Sequence, residues 1–294
     1  VTFASLAVRT RSSAAAGRAL AEAVEAGAAG AEEREERGGI TLLIYAPSAV
    51  MGSVRRALLE RCAGEIEIGP AETLAATDWS AAWQAGLEAV VVSPRLLVRP
   101  SFVDASPGPG QAELIIDPGQ AFGTGGHVST RLALEWVVAL APGLAPGARI
   151  LDVGAGSGVL ALAALRLGPG TALAFDLDPL ASAATRQNAA ANGLAGRLEI
   201  FTGPLEALRS RPFELVLANL LKSELWPLME GIAARTAREG RVVFSGLLEG
   251  DRPSVVEAAR AMGLRLLGTR RREDTSGESW VALLMTRSGA RASG

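Results

Sequence analysis

One stretch constrains this chain more than any other: Ile150-Leu151-Asp152-Val153-Gly154-Ala155-Gly156-Ser157-Gly158-Val159-Leu160. An apolar run that reads as a buried strand ends in alternate glycines, and an apolar helix opens directly after them. Glycine permits a tight turn, and a bare backbone can lie against a ligand. Such a turn belongs to an α/β sheet, whose ligands sit beyond the carboxyl ends of the strands. The spacing separates it from a dinucleotide fingerprint, which needs G-x-G-x-x-G order. Here the glycines stand at 154, 156 and 158, and position 159 is Val.

The surroundings repeat the strand–helix pattern. Strands are predicted over Arg149–Val153, Thr171–Phe175, Leu198–Phe201, Glu214–Ala218, Val242–Ser245, Leu264–Leu267 and Trp280–Met285. Helices are predicted over Val159–Leu167, Pro179–Asn192, Leu225–Ala237 and Pro253–Met262, with another opening near Thr130. The first strands are continuous apolar runs, as a parallel sheet covered on both faces requires. Asp176 closes the second of these strands, 18 residues after Gly158. A carboxylate there can accept both hydroxyl protons of a ribose. Asp178 precedes Pro179 and reads first as a helix cap, with ligand contact the alternative. Asn219 ends the apolar run Leu215-Val216-Leu217-Ala218. It either caps the next helix or offers an amide oxygen to an amine nucleophile.

The first 70 residues read differently. Phe3–Arg9, Ala28–Arg37, Ile40–Tyr45 and Glu65–Ile68 are strand-like. Helices run from Ser12 or Ser13 to Gly27 and from Val50 to Arg61. That β-α-β-β-α-β order is the ferredoxin-like arrangement. Residues 71–88 are predicted as a helical linker carrying Trp79 and Trp83. Val90 to Phe102 is strand-like but interrupted by Pro94 and Pro100, and Glu113–Ile116 is a further strand. The expected organisation is a small α+β domain over 1–70, the linker, and a large α/β domain over 89–294.

Composition removes several function classes. One cysteine (Cys62) and one histidine (His127) exclude a disulfide framework and multi-histidine metal sites. Twenty-nine basic against 31 acidic residues exclude a strongly basic nucleic-acid sleeve. The first 90 residues carry 12 acids and 8 arginines, which makes direct nucleic-acid binding by that part unexpected. The aliphatic run Val159–Leu165 falls far short of the roughly 20 residues that span a bilayer. With no basic flank before a long apolar stretch at the start, the expected location is cytoplasmic. Lys222 is the single lysine, a bias that genomic base composition accounts for.

The remaining distinctive segment is Asp117-Pro118-Gly119-Gln120-Ala121-Phe122-Gly123-Thr124-Gly125-Gly126-His127-Val128-Ser129-Thr130. It is small, polar and glycine-rich, as suits a loop over a ligand. His127 is either catalytic or, more often for a lone histidine in such a loop, structural.

Taken together, these segments resemble the methyltransferases of ribosomal protein L11, the PrmA family. That family's D-P-G-x-A-F-G-T-G-x-H-x-T-T is matched by Asp117 to Thr130, with Ser129 for the first paired threonine. Its D-x-G-x-G-S-G is matched by Asp152 to Gly158, its D-x-D-P by Asp176 to Pro179, its A-N-I/L-L by Ala218 to Leu221, and its S-G-I-L by Ser245 to Leu248. The resemblance spans roughly residues 78–285. It implies a class I methyltransferase (Rossmann-like) doubly wound sheet behind a small ferredoxin-like recognition domain, with S-adenosyl-L-methionine as cofactor. Cofactor contacts carry over to Thr130, Gly154, Asp176 and Asn219, with Gly156 and Gly158 as backbone neighbours. Phe122 and Thr124 would line the methyl-transfer mouth, and Asn219 would orient the attacking amine. The implied partner is ribosomal protein L11, free or on the ribosome. The alternatives are a lysine methyltransferase of another protein such as electron-transfer flavoprotein, an RNA methyltransferase, or a non-catalytic module that binds the cofactor.

Overall fold

Residues 3–10, FASLAVRT, place Ala4, Leu6 and Val8 on one side of a strand, and all three are buried. In the computed structural model, which describes residues 2–36, 39–74, 87–117, 125–208 and 211–288, this strand lies inside a four-stranded antiparallel sheet. The strands are β1 (Phe3–Thr10), β2 (Gly30–Glu36), β3 (Gly39–Pro47) and β4 (Glu67–Leu74), in the order β2-β3-β1-β4. Helices α1 (Ser13–Glu25) and α2 (Ser48–Arg61) interleave with them, giving the ferredoxin-like arrangement. Leu6, Val8, Leu42, Ile44, Val54 and Leu58 form its core. The Ser12 hydroxyl caps α1 through the Ala15 amide.

The chain divides into two compact units, Val1–Gly86 and Leu87–Gly294. Residues 71–74, expected to open the linker helix, belong to β4 instead. Leu6 pairs with Ala71 and Val8 with Ile68, so the ladder skips a step at Gly69-Pro70. Proline has no N–H to give a ladder, which forces an irregularity there and makes Gly69-Pro70 read as a strand end. Residues 75–86, with both linker tryptophans, lie outside the described residues.

In the larger unit a seven-stranded sheet has the order β10-β9-β8-β11-β12-β14-β13. Strands β8 (Arg149–Val153), β9 (Thr171–Asp176), β10 (Leu198–Thr202), β11 (Phe213–Asn219) and β12 (Thr236–Leu248) are parallel. Strand β14 (Ser279–Arg287) is antiparallel and inserts between β12 and β13 (Leu264–Glu273). Successive residues of the central strands enter opposite cores. Ile150, Leu215 and Leu217 pack with α3 (Val128–Leu140) and α4 (Val159–Leu167). Leu151, Val216 and Ala218 pack with α7 (Met229–Arg235) and α8 (Arg252–Ala261). Both faces are covered, which is why these strands are mainly apolar on both sides. Helix α5 (Pro179–Ala191) follows β9, opened by the Asp178 cap on the Leu180 amide and by Pro179.

Two expectations are corrected here. The helix expected over Leu225–Ala237 is broken into α6 (Lys222–Leu225), a tight turn at Trp226–Leu228, and α7, which ends at Arg235. Pro227 supplies no amide to a continuous helix, and Thr236 and Ala237 already belong to β12. The strand-like stretch from Val90 is a hairpin, β5 (Val90–Ser93) and β6 (Leu96–Arg99), turning at Pro94-Arg95. Strand β7 (Ala112–Ile115) joins β6 in parallel to make a separate three-stranded sheet.

Candidate active site

Strands β8, β9 and β11 end side by side, and the loops that leave them wall a cavity of about 830 Å³. After β8 the backbone turns through Gly154, Gly156 and Gly158, all at positive φ. A Cβ on Gly154 would stand 2.6 Å from Leu220, and one on Gly158 2.7 Å from Thr185. The turn is held from beneath: the Thr185 hydroxyl donates to the Gly156 carbonyl at 2.8 Å. Asp176, at the end of β9, accepts from the Gly156 amide at 2.9 Å and from the Asp178 amide at 3.0 Å. A carboxylate has about four acceptor positions, so capacity remains for two hydroxyls. Asp178 caps α5 and also lines the cavity.

Asn219 closes β11 beside Ser245 of β12. Its Nδ2 donates to the Thr130 hydroxyl at 3.1 Å, while its Oδ1 is buried with no hydrogen-bond partner among the described residues. A buried acceptor left without a donor costs about 1–3 kcal/mol, so an N–H or O–H brought to this oxygen would be favoured. Thr130 itself is fully buried and is not part of the cavity lining. It stands behind Asn219 and sets which way the amide faces. Gly158 is likewise set back, whereas Gly154, Gly156, Asp176 and Asn219 line the cavity directly. Ser245 donates to the Ser129 carbonyl at 2.8 Å and so ties β12 to the start of α3.

His127 also lines the cavity, as the N-terminal cap of α3. Its Nδ1 accepts from the Ser129 amide at 3.2 Å, and its ring meets the edge of Trp280 with centroids 4.7 Å apart. Trp280 in turn donates to Asp274 Oδ2 at 2.8 Å. Hydrogen bonds from Ser276 and Trp280, foremost, hold the Asp274 carboxyl down to about 2. Phe122 and Thr124 lie outside the described residues. A second concavity, of about 960 Å³, lies in the smaller unit around Arg9, Arg11, Ser12 and Glu65. It holds no residue of the motifs above.

The profile of the family described as Ribosomal protein L11 methyltransferase (PrmA) matches residues 22–288. The chain belongs to the ribosomal protein L11 methyltransferase family. A relative of that name from Pelobacter propionicus is 41% identical over 220 residues, which is 73% of this chain and 68% of that protein. One from Symbiobacterium thermophilum is 35% identical over 70% of this chain and 65% of its own length, so the match spans just under two thirds of that relative. The crystal structure of a ribosomal protein L11 methylase from Lactobacillus delbrueckii subsp. bulgaricus superposes with a TM-score of 0.61 at 28% identity. That match covers 69% of this chain and all of the other.

For a methyltransferase of this family the charge of the cavity is informative. Asp152, Asp176, Asp178 and Glu224 line it, together with His127, and among the described residues no lysine or arginine does. An apolar cavity whose charged groups are acidic disfavours phosphate and suits a cationic ligand. Asp152 is the most perturbed of them. It is 1% exposed and accepts from the Ala161 amide at 2.9 Å. Burial, aided by the neighbouring charge of Asp176 and opposed by that hydrogen bond, pushes its carboxyl up to about 7.

Several residues that build the site escape motif reading. Asn188 of α5 donates to the carbonyls of Ser157 and Asp117 and accepts from the Asp117 amide. It thereby joins the glycine turn to the start of the Asp117 segment. Asn192, one helical turn on, grips Ile115 in the same way. Trp280 and Pro227 also belong to the lining. The one available sequence signal was the i, i+4 pair of asparagines on an otherwise alanine-rich helix.

Proposed function

We propose that this protein transfers methyl groups from S-adenosyl-L-methionine to amino groups, lysine side chains or the N-terminus, of ribosomal protein L11. The observation that carries this reading is the Oδ1 of Asn219, without a partner among the described residues, in the wall of a cavity whose acidic lining residues are Asp152, Asp176, Asp178 and Glu224. When bound, S-adenosylmethionine supplies a methyl group on a positively charged sulfur. Asp176, steadied by the Gly156 amide, would accept the ribose hydroxyls, and the bare turn at Gly154 and Gly156 leaves room for the nucleoside.

A free lysine amine has a pKa of about 10.4, and stripping its proton near pH 7.4 costs about 4 kcal/mol. A dry mouth beside a cationic sulfur disfavours a second positive charge and lowers that cost. Asn219 Oδ1 then accepts an N–H of the neutral amine and turns its lone pair toward the methyl group. Alignment of this kind supplies much of a methyl-transfer acceleration. No general base is needed, and His127 serves as a helix cap that keeps the α3 end, and with it Thr130, in place.

In this reading the smaller unit recognises the protein substrate and the larger performs the chemistry. The reaction belongs in the cytoplasm, where ribosomal proteins are made, and no helix among the described residues is long and apolar enough to cross a membrane. The test is incubation with methyl-labelled S-adenosylmethionine and, separately, whole ribosomes, free large-subunit proteins and purified ribosomal RNA. Label on one small ribosomal protein is expected, and the ribosome and free-protein arms show which form is the substrate. Label on RNA, or on a protein outside the ribosome, would replace the proposed target. Asp176→Ala should weaken calorimetric binding of the donor by about 10- to 100-fold, as loss of charged hydrogen bonds implies.

A further inference from the structure

Asp152 occupies an unusual place for an ionisable group. It sits within β8, an interior strand of the sheet between β9 and β11, yet it lines the cavity while being 1% exposed. Among the described residues one donor reaches it, the Ala161 amide. Among the described residues, the elements packed on β8 bring no cation to it. Strand β9 contributes Asp176 and β11 contributes Glu214, which is engaged with the Arg149 amide. Helix α4 contributes Arg166, whose guanidinium is bound to Asn192. The other titratable groups on the same cavity are Asp178, Glu224 and His127. A carboxyl so enclosed has no counter-charge among the described residues, and burial and the like charge of Asp176 favour its protonated form. It therefore responds strongly to the charge of whatever enters the cavity.

We infer that Asp152 distinguishes the charged methyl donor from its spent form, releasing its proton when S-adenosylmethionine binds and keeping it when the neutral thioether S-adenosylhomocysteine binds. This rests on the proposed function above. The two ligands differ by one methyl group and one positive charge. A cationic sulfur in the cavity favours the Asp152 anion, and the resulting attraction is available to the donor only. With the carboxyl raised to about 7, its protonation changes within the neutral range, where the device responds. The consequence is an exchange bias: after each transfer the product loses the electrostatic hold that the donor enjoyed, and fresh donor displaces it. Below the carboxyl's midpoint this advantage fades, by up to about tenfold in donor affinity per pH unit.

The test is titration calorimetry of the full-length protein with each ligand, in two buffers of different ionisation heat, between pH 6 and 8. At pH 7 the donor is expected to release about half a proton more from the wild type than from Asp152→Asn. That subtraction removes protons contributed by other groups, including the donor's own amine. The product should show a much smaller difference. The preference for donor over product should rise with pH in the wild type and be flat and several-fold smaller in Asp152→Asn. Equal proton release for both ligands, or a pH-independent preference in a protein that binds both, overturns the inference. Should Asp152→Asn not fold, the comparison of the two ligands on the wild type still decides it. Binding of neither ligand by the wild type would refute the reading of the cavity itself.

Discussion

Gly246 stands at φ +82°, and a Cβ there would lie 2.4 Å from the Leu220 carbonyl oxygen. Leu220 follows Asn219 directly, and its amide donates to the Ser245 carbonyl at 3.0 Å. The peptide that aims Asn219 is thus wedged against Gly246, with no space for a methyl group. Gly246→Ala is expected to cost about 1–3 kcal/mol of stability from the backbone conformation and the clash together. It should cost more than that in activity, because relief of the clash displaces Asn219. Thermal melting beside single-turnover transfer will show it, and an unchanged rate at a lowered melting temperature would separate Gly246 from the site. Asn219→Ala removes the acceptor itself while opening no large void. Turnover should fall about 100-fold or more for want of alignment, with the fold kept and donor binding changed several-fold at most. A near-normal single-turnover rate in a folded variant would remove Asn219 from the mechanism.

At the scale of elements, α5 is the brace of the site. Asn188 is 2% exposed and makes three hydrogen bonds to backbone groups from two separate segments. Replacing it by Leu leaves those buried groups unpaired, at about 1–3 kcal/mol apiece before relaxation. The expected result is a destabilisation of several kcal/mol, with loosening centred on residues 115–117 and 154–158. Hydrogen exchange on those two segments measures it. Uniform protection across the larger unit would show that the seam is not local. The same helix shows what a sequence discloses. Its start was legible because Asp178-Pro179 is local chemistry: a side chain capping an amide two residues on. The glycine turn and the ends of β8, β9 and β11 were legible for a like reason, since hydrophobic runs and chain reversals are written over a few residues. The roles of Asn188 and Thr130 were not, since each depends on a partner 71 or 89 residues away. Nor was the length of β4, whose last four residues are strand only because β1 offers them a ladder. The break at Pro227 was visible in principle, but the apolar period on either side of it outweighed a single proline in the helix expected there.

For the molecule as a whole, the carboxyl of Asp152 makes a stability statement as well as a binding one. Its value rises from 3.8 to about 7 on folding. Between those values the folded chain holds a proton that the unfolded chain has released. The stability of the unliganded protein from this group is therefore fully present below the unfolded value and is lost as pH rises through about 7, at up to about 1.4 kcal/mol per unit. Asp274 acts in the opposite sense: its carboxyl is lowered to about 2, so its contribution is present at neutral pH and lost only as acid approaches that value. Over pH 5 to 8 the Asp152 effect stands alone of the two. Urea denaturation of the wild type and of Asp152→Asn across that range should give curves that converge toward low pH and diverge with rising pH. The variant should become relatively more stable up to about pH 7, and the gap should level off above it. Saturating S-adenosylmethionine should close that gap, because the cationic ligand stabilises the Asp152 anion that the empty fold penalises, whereas S-adenosylhomocysteine should leave most of it. Parallel curves without ligand would mean that solvent or local rearrangement relieves Asp152 of its burial, and both the stability argument and the donor-sensing one would fail together.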